Sequence, residues 1–239
     1  MSVATGKIAR MKLLVLDTST EWCSAALWLD GRIQAKRVLA EQRHSSLLLP
    51  MVDELLREAA ISLHQFDGIG YGLGPGSFTG LRIACAVTQG LAFGADLPVV
   101  GVSTLESIAE QAGADRVLTV LDARMAEVYW AAYERDDTGW HALTPPQLAL
   151  PESVAIPGTG DWVGAGNGFA ALGDVLRPRL SAQLMRIDDT LMPDAAAMAP
   201  LAARAFMRGE GLDAALAAPI YLRDKVALTM DERRAGRPA

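Results

Sequence analysis

Apolar positions fall along the chain in short, well-punctuated runs. Leu13 to Leu16, bounded by Lys12 and Asp17, predict a short buried strand, and Ser24 to Leu29 predict a second. Asp30-Gly31 is the signal of a two-residue type I′ turn, which both residues enter with positive φ, so a third strand should run from Arg32 to Leu39 and complete a β-meander. From His44 to Ala60 the spacing of Leu48, Val52, Leu55 and Ala59 is helical. It continues past Pro50, which predicts a kink rather than a stop. Asp67 to Gly72 predicts another strand, Thr79 to Gly94 a second helix, and Leu97 to Val102 a strand. Ser103-Thr104-Leu105-Glu106 has the form of a capping box that opens a helix towards Gln111.

The same order returns further on. Val117 to Leu121 and Val128 to Tyr133 predict strands, Asp137-Thr138-Gly139 a turn, and Pro145 to Pro157 a loop-rich stretch. Trp162-Val163-Gly164 predicts a strand running into the turn Ala165 to Gly168. Ala195 to Arg208 is an alanine-rich helix, and the chain closes through Pro219 to Arg223. Strands, helix, strand, helix in both halves point to an α/β protein with a duplicated lobe, divided as 11–105 and 106–222. Residues 1–10 are expected to be a disordered extension. Residues 223–239, with Arg223, Lys225, Arg233, Arg234 and Arg237, are expected to form a flexible, solvated basic tail.

The most specific stretch is Tyr71 to Ala84, a glycine-dense loop between a predicted strand and a predicted helix. Gly72, Gly74, Gly76 and Gly80 free the backbone for positive φ or close approach, while Pro75 fixes one φ and removes a donor. Ser77 or Thr79 supplies a helix cap. Neither of the glycine patterns with a known phosphate mechanism is present, so the plain reading is a tight strand-to-helix turn. In the helix that follows, Gly80, Ile83, Ala84, Val87 and Leu91 form the face expected against the sheet. Arg82, Cys85, Ala86, Gln89 and Phe93 form the opposite face. That back is small and almost uncharged, as is the first helix around Leu47, Leu49 and Met51, which predicts a two-helix patch made for contact with another helix.

Composition narrows the chemistry. The chain has 239 residues, is 51% hydrophobic and 21% charged, and carries a formal charge of −6; this is a globular protein that would not grip a phosphate backbone by itself. Cys23 and Cys85 lack C-x-x-C spacing and fit a reducing compartment without a metal site. His44, His64 and His141 place no two imidazoles on one helix face. The apolar run near the start is too short for a signal sequence and no run is long enough to span a bilayer, so the expectation is a cytoplasmic protein without membrane contact.

Gly74-Pro75-Gly76-Ser77-Phe78-Thr79-Gly80-Leu81-Arg82-Ile83, taken with Asp17-Thr18-Ser19-Thr20 and Asp122 to Trp130, resembles the TsaB (YeaZ) family of bacterial tRNA threonylcarbamoyladenosine biosynthesis subunits. The resemblance covers Met11 to about Val226 and leaves open whether translation begins at Met1 or Met11. It implies a two-lobed actin-like (ASKHA, RNase H-like) fold. It further implies a non-catalytic subunit with no catalytic residue and no metal of its own, pairing through the two-helix patch with a TsaD-like catalytic subunit and acting with a TsaE-like ATPase. tRNA would be met only through that complex. The resemblance leaves open pairing of the free chain with itself, and ATP or ADP at the junction of the complex, with no cofactor held by this chain alone. TsaD carries a metal-binding His-x-x-x-His pair after the strand corresponding to Leu97 to Val102; here those positions are Thr104 and Ile108. Actin-like ATPases place a carboxylate where Asp17 stands, beside the glycine loop. An autonomous ATPase or sugar-kinase-like phosphotransferase using Asp17 with Gly74, Pro75, Gly76, Ser77, Thr79 and Gly80 is therefore the rival reading, weakened by the glycine-free Asp122 to Met125. A peptidase, suggested by an old label of the superfamily, has no Ser-His-Asp or Cys-His arrangement to support it.

Overall fold

The computed structural model describes residues 11–223. Strands β1 (Lys12–Asp17), β2 (Trp22–Leu29) and β3 (Arg32–Leu39) form the expected meander, and Asp30 and Gly31 turn with φ of 54° and 85°, as the type I′ signal requires. Helix α1 (His44–Ala59) contains Pro50. Then come β4 (Gly68–Gly74), α2 (Phe78–Ala95), β5 (Val99–Ser103) and α3 (Thr104–Gln111), whose first turn is capped by the Ser103 hydroxyl accepting from Glu106 N at 3.4 Å. The second half supplies β6 (Arg116–Asp122), β7 (Val128–Asp136), β8 (Gly139–Ala149), β9 (Trp162–Ala165), the single-turn α4 (Gly168–Ala171), α5 (Gly173–Leu180), β10 (Leu184–Asp188) and α6 (Ala195–Met207).

Two five-stranded sheets result, ordered β3-β2-β1-β4-β5 and β8-β7-β6-β9-β10. Each has an antiparallel meander joined to parallel pairs, β1 with β4 and β6 with β9, so the second sheet repeats the first strand for strand. This is the duplicated, two-lobed α/β architecture of the actin-like fold. β1 shows why its sequence is apolar throughout. Leu14 and Leu16 face α1 and α2, Leu13 and Val15 face α6, and a strand covered on both sides has no polar side to alternate with. In the second sheet Val117 and Leu121 face α3, whereas Leu118 and Val120 face α4 and α5.

Three expectations change. The stretch from Pro145 is strand up to Ala149, because β8 lies at the sheet edge and Pro145-Pro146 fall at a ladder irregularity, where a missing N–H breaks no central pairing. α5 and β10 gave no signal: α5 contains Pro178 and buries only Leu176 and Leu180. The lobes are not divided at one point, since α6 returns to pack on β1, β2 and β4, and residues 212–221 follow it back to the first sheet and to α2. Residues 1–10 and all of the basic tail except Arg223 lie outside the described residues. Among the described residues, no helix is long and apolar enough to cross a membrane.

Candidate functional site

A cleft of about 730 Å³ opens between the lobes, bordered on one side by the glycine loop and the turn after β1, on the other by the Asp122 to Met125 turn. The glycine loop is shaped by what it leans on. Gly74 has φ of 115°, and a Cβ there would stand 2.8 Å from the Ile220 carbonyl. The bond between Gly74 and Pro75 is cis. Gly76 needs its missing side chain for another reason: a Cβ would meet the Ser19 carbonyl oxygen at 2.5 Å, and one on Gly80 would collide with the Thr18 carbonyl. Ser77 N donates to Ser19 O at 2.7 Å, and the Thr18 hydroxyl donates to Gly80 O at 2.6 Å. Ser77 caps α2 through its hydroxyl, which accepts from Gly80 N at 3.3 Å; Thr79 is exposed. Thr104 donates its hydroxyl to Pro75 O at 2.5 Å from the start of α3. The loop is thus clamped between the end of β1 and the start of α3.

Asp17 lies beside this loop but does not line the cleft. It is fully buried, with Oδ2 accepting from Ser19 N and Oγ at 3.3 and 3.0 Å and Oδ1 without a partner, pressed against Gly72. Burial pushes its carboxyl up to about 7 against the modest pull of the Ser19 bonds. Its counterpart in the second lobe, Asp122, accepts from Arg124 N at 2.8 Å and pairs with the exposed Arg124 guanidinium at 3.0 Å. Among the described residues no group of three His, Cys, Asp or Glu is placed to hold a metal ion.

The face of α2 is rotated from its expected position. Leu81, Ala84, Cys85, Thr88 and Ala92 are buried, while Ile83, Val87 and Leu91 are half-buried at the flank. The reason lies about 130 residues away: Ala217 O accepts from Cys85 Sγ at 3.4 Å and from Gln89 Nε2 at 3.0 Å, so the 214–217 turn covers what the sequence left bare. Cys85 and Met51, assigned to the partner surface from sequence, are core residues; Leu47 and Gln89 are half-buried. Arg82, Ala86, Gly90 and Phe93 remain as an exposed stripe, with Phe93 84% exposed. Arg82 stacks 3.7 Å over Phe78 and donates to the Tyr221 hydroxyl at 2.9 Å. Sequence reasoning does not bring Tyr221 and Arg223 to the cleft that they line, because nothing local to either announces its partner.

The family model described as TsaD, tRNA N6-adenosine threonylcarbamoyltransferase, matches residues 38–229. The chain is 43% identical to the tRNA threonylcarbamoyladenosine biosynthesis protein TsaB of Escherichia coli (strain K12), over 91% of this chain and 96% of that protein. It is 37% identical to the protein of the same name from Haemophilus influenzae, over 90% and 95%. A crystal structure described as an uncharacterized protein with similarity to peptidase YEAZ from Pseudomonas aeruginosa superposes with a TM-score of 0.83 at 42% identity, covering 89% of this chain and all of that one. The chain belongs to the TsaB (YeaZ) family of tRNA threonylcarbamoyladenosine biosynthesis proteins, within the wider group that the TsaD model describes.

Proposed function

We propose that the protein is the non-catalytic scaffold subunit of a complex that transfers threonylcarbamoyl to N6 of adenosine 37 in tRNAs reading codons that begin with adenine. Its partners in this reading are a TsaD-like catalytic subunit and a TsaE-like ATPase, with tRNA reached through the complex and any ATP or ADP held at the subunit junction. One observation carries the reading. The two positions where TsaD-like chains hold metal-binding histidines are built into this chain's interior: the Thr104 hydroxyl clamps Pro75 O, and Ile108 is fully buried in the core. An imidazole at either would have to displace structure. The formal charge of −6 supports indirect contact with RNA.

The exposed α2 stripe is the docking surface in this reading. Small residues such as Ala86 and Gly90 allow helix axes to approach to about 8 Å, and Phe93 offers an aromatic anchor of the kind that dominates interfaces. The test pairs two measurements on Ala86→Arg. Thermal melting should be nearly unchanged, since exposed substitutions shift stability by within about 0.5 kcal/mol. Light scattering with the TsaD-like subunit should show association weakened at least a hundredfold, as an unpaired charge at a buried contact costs several kcal/mol. A variant that folds and pairs normally removes α2 from the interface. ATP turnover by the isolated chain, lost in Asp17→Ala, would replace the scaffold with the phosphotransferase.

A further inference from the structure

After α6 the chain runs back along the first lobe as a strap. Leu212 exchanges both backbone bonds with Val99, at 2.8 and 2.9 Å. Ala214 to Leu216 make one 3₁₀ turn against α2. Ala218 then meets the Tyr71 hydroxyl through both its N–H and its carbonyl, at 3.1 and 3.2 Å, and Ile220 N donates to Leu73 O at 2.9 Å. The Tyr221 ring packs on Phe78 with centroids 5.0 Å apart. Each of these anchors belongs to the first lobe.

Two residues later the strap crosses the cleft. Arg223 donates to Ala123 O at 3.0 Å, contacts Met125 Sδ at 3.3 Å and pairs with Glu127 at 2.6 Å, its side chain only 16% exposed. The turn it grips is unusual in itself. Arg124, Met125 and Ala126 have φ of 63°, 57° and 58°, three successive left-handed residues without a glycine among them. Such conformations persist only where the surroundings over-determine them. Within the turn the backbone supplies Ala123 N to Glu127 O at 3.0 Å and Glu127 N to Arg124 O at 3.1 Å, and Asp122 accepts from Arg124 N. The remaining carbonyl at its entry and the carboxylate at its exit are both held from the other lobe.

The geometry points to an interlobe latch: Arg223, delivered by the strap of the first lobe, locks the 123–127 turn of the second in its left-handed form and fixes the mouth of the cleft. With Arg223 in place the turn and the strap are one unit spanning both lobes. Without it the turn relaxes out of the left-handed region and the second-lobe wall of the cleft becomes mobile, while both sheets and their cores stay as they are.

Hydrogen exchange on the full chain, read at the Ala123 and Glu127 amides, tests this directly. Arg223→Ala and, separately, Glu127→Gln should speed exchange at those two amides at least tenfold while leaving the sheet amides of β6 and β7 unchanged. Trypsin, which cuts after arginine, reads the same event: in the variants the chain should split after Arg124 at least tenfold faster than in the parent protein, giving residues 1–124 and 125–239. Unchanged exchange and cleavage in both variants would show that the turn holds itself. Uniformly faster exchange with an early melt would show that Arg223 serves global stability instead. Either result overturns the latch.

Discussion

The two lobes share a strand order but solve one packing problem with different backbone chemistry. In each, the connection leaving the fourth strand leans on the end of the first. Gly76 and Gly80 press on the Ser19 and Thr18 carbonyls, and Gly166 and Gly168 press on the Val120 carbonyl. In the first lobe that connection leads into the 18-residue α2, in the second into the four-residue α4. The glycines are therefore demanded by a close approach that both lobes make, with or without a phosphate to cradle. The turns after the first strands diverge further. Asp17 is sealed beneath its loop, whereas Asp122 holds its own turn at the surface, and that turn takes three left-handed residues without glycine.

Removing glycine from the first-lobe loop should have the largest effect. Gly80→Val drives a branched side chain into the Thr18 backbone, which cannot swing aside. A loss above about 3 kcal/mol, roughly 10 °C in melting temperature for a chain of this size, is expected by calorimetry. Gly168→Val should lose less, because its Cβ would stand 3.0 Å from the Val120 carbonyl oxygen, a milder backbone approach than that of Gly80 to the Thr18 carbonyl. An equal or greater loss at Gly168 would break the comparison.

Asp17 comes next. Its carboxyl is raised by burial from 3.8 to about 7, so the fold favours the protonated form. The stability this provides is complete below the unfolded value and disappears as pH rises through about 7. Asp17→Asn, whose amide oxygen can accept both Ser19 bonds, should therefore be more stable than the parent by about 2–4 kcal/mol at pH 8 and close to it at pH 4. Denaturant titrations at the two pH values check this; a parallel offset at both would mean that burial of the charge is not the cause.

Two smaller effects sharpen the contrast between the turns. Ser77→Ala removes the α2 cap and should lower stability by about 1 kcal/mol. Met125→Gly moves in the opposite direction. At φ of 57° glycine relieves left-handed strain, and a gain of about 0.5–1 kcal/mol should appear as a small rise in melting temperature. A loss there would mean that the Met125 side chain, through its contact with Arg223, contributes more than its backbone strains.

Much of this was legible along the chain. The β1 to β3 meander, its type I′ turn, α1, α2 and α6 follow from periodicity and turn chemistry, because each is decided by residues a few positions apart. So was the family, through the Gly74 to Ile83 motif. Of the site, sequence supplied the glycine loop, a helix cap at Ser77 or Thr79, of which the structure uses Ser77, and the exposed Arg82, Ala86 and Phe93. Tertiary structure alone decided which side of α2 is bare, since the 214–217 turn that hides Cys85 arrives from the far end of the chain. It also sealed Asp17 beneath Gly72, carried β8 through two prolines by placing it at an edge, and turned Arg223 from a tail residue into the tie between lobes. Local pattern records what a segment prefers. Burial, and with it charge state and available surface, depends on what distant chain comes to lie against it.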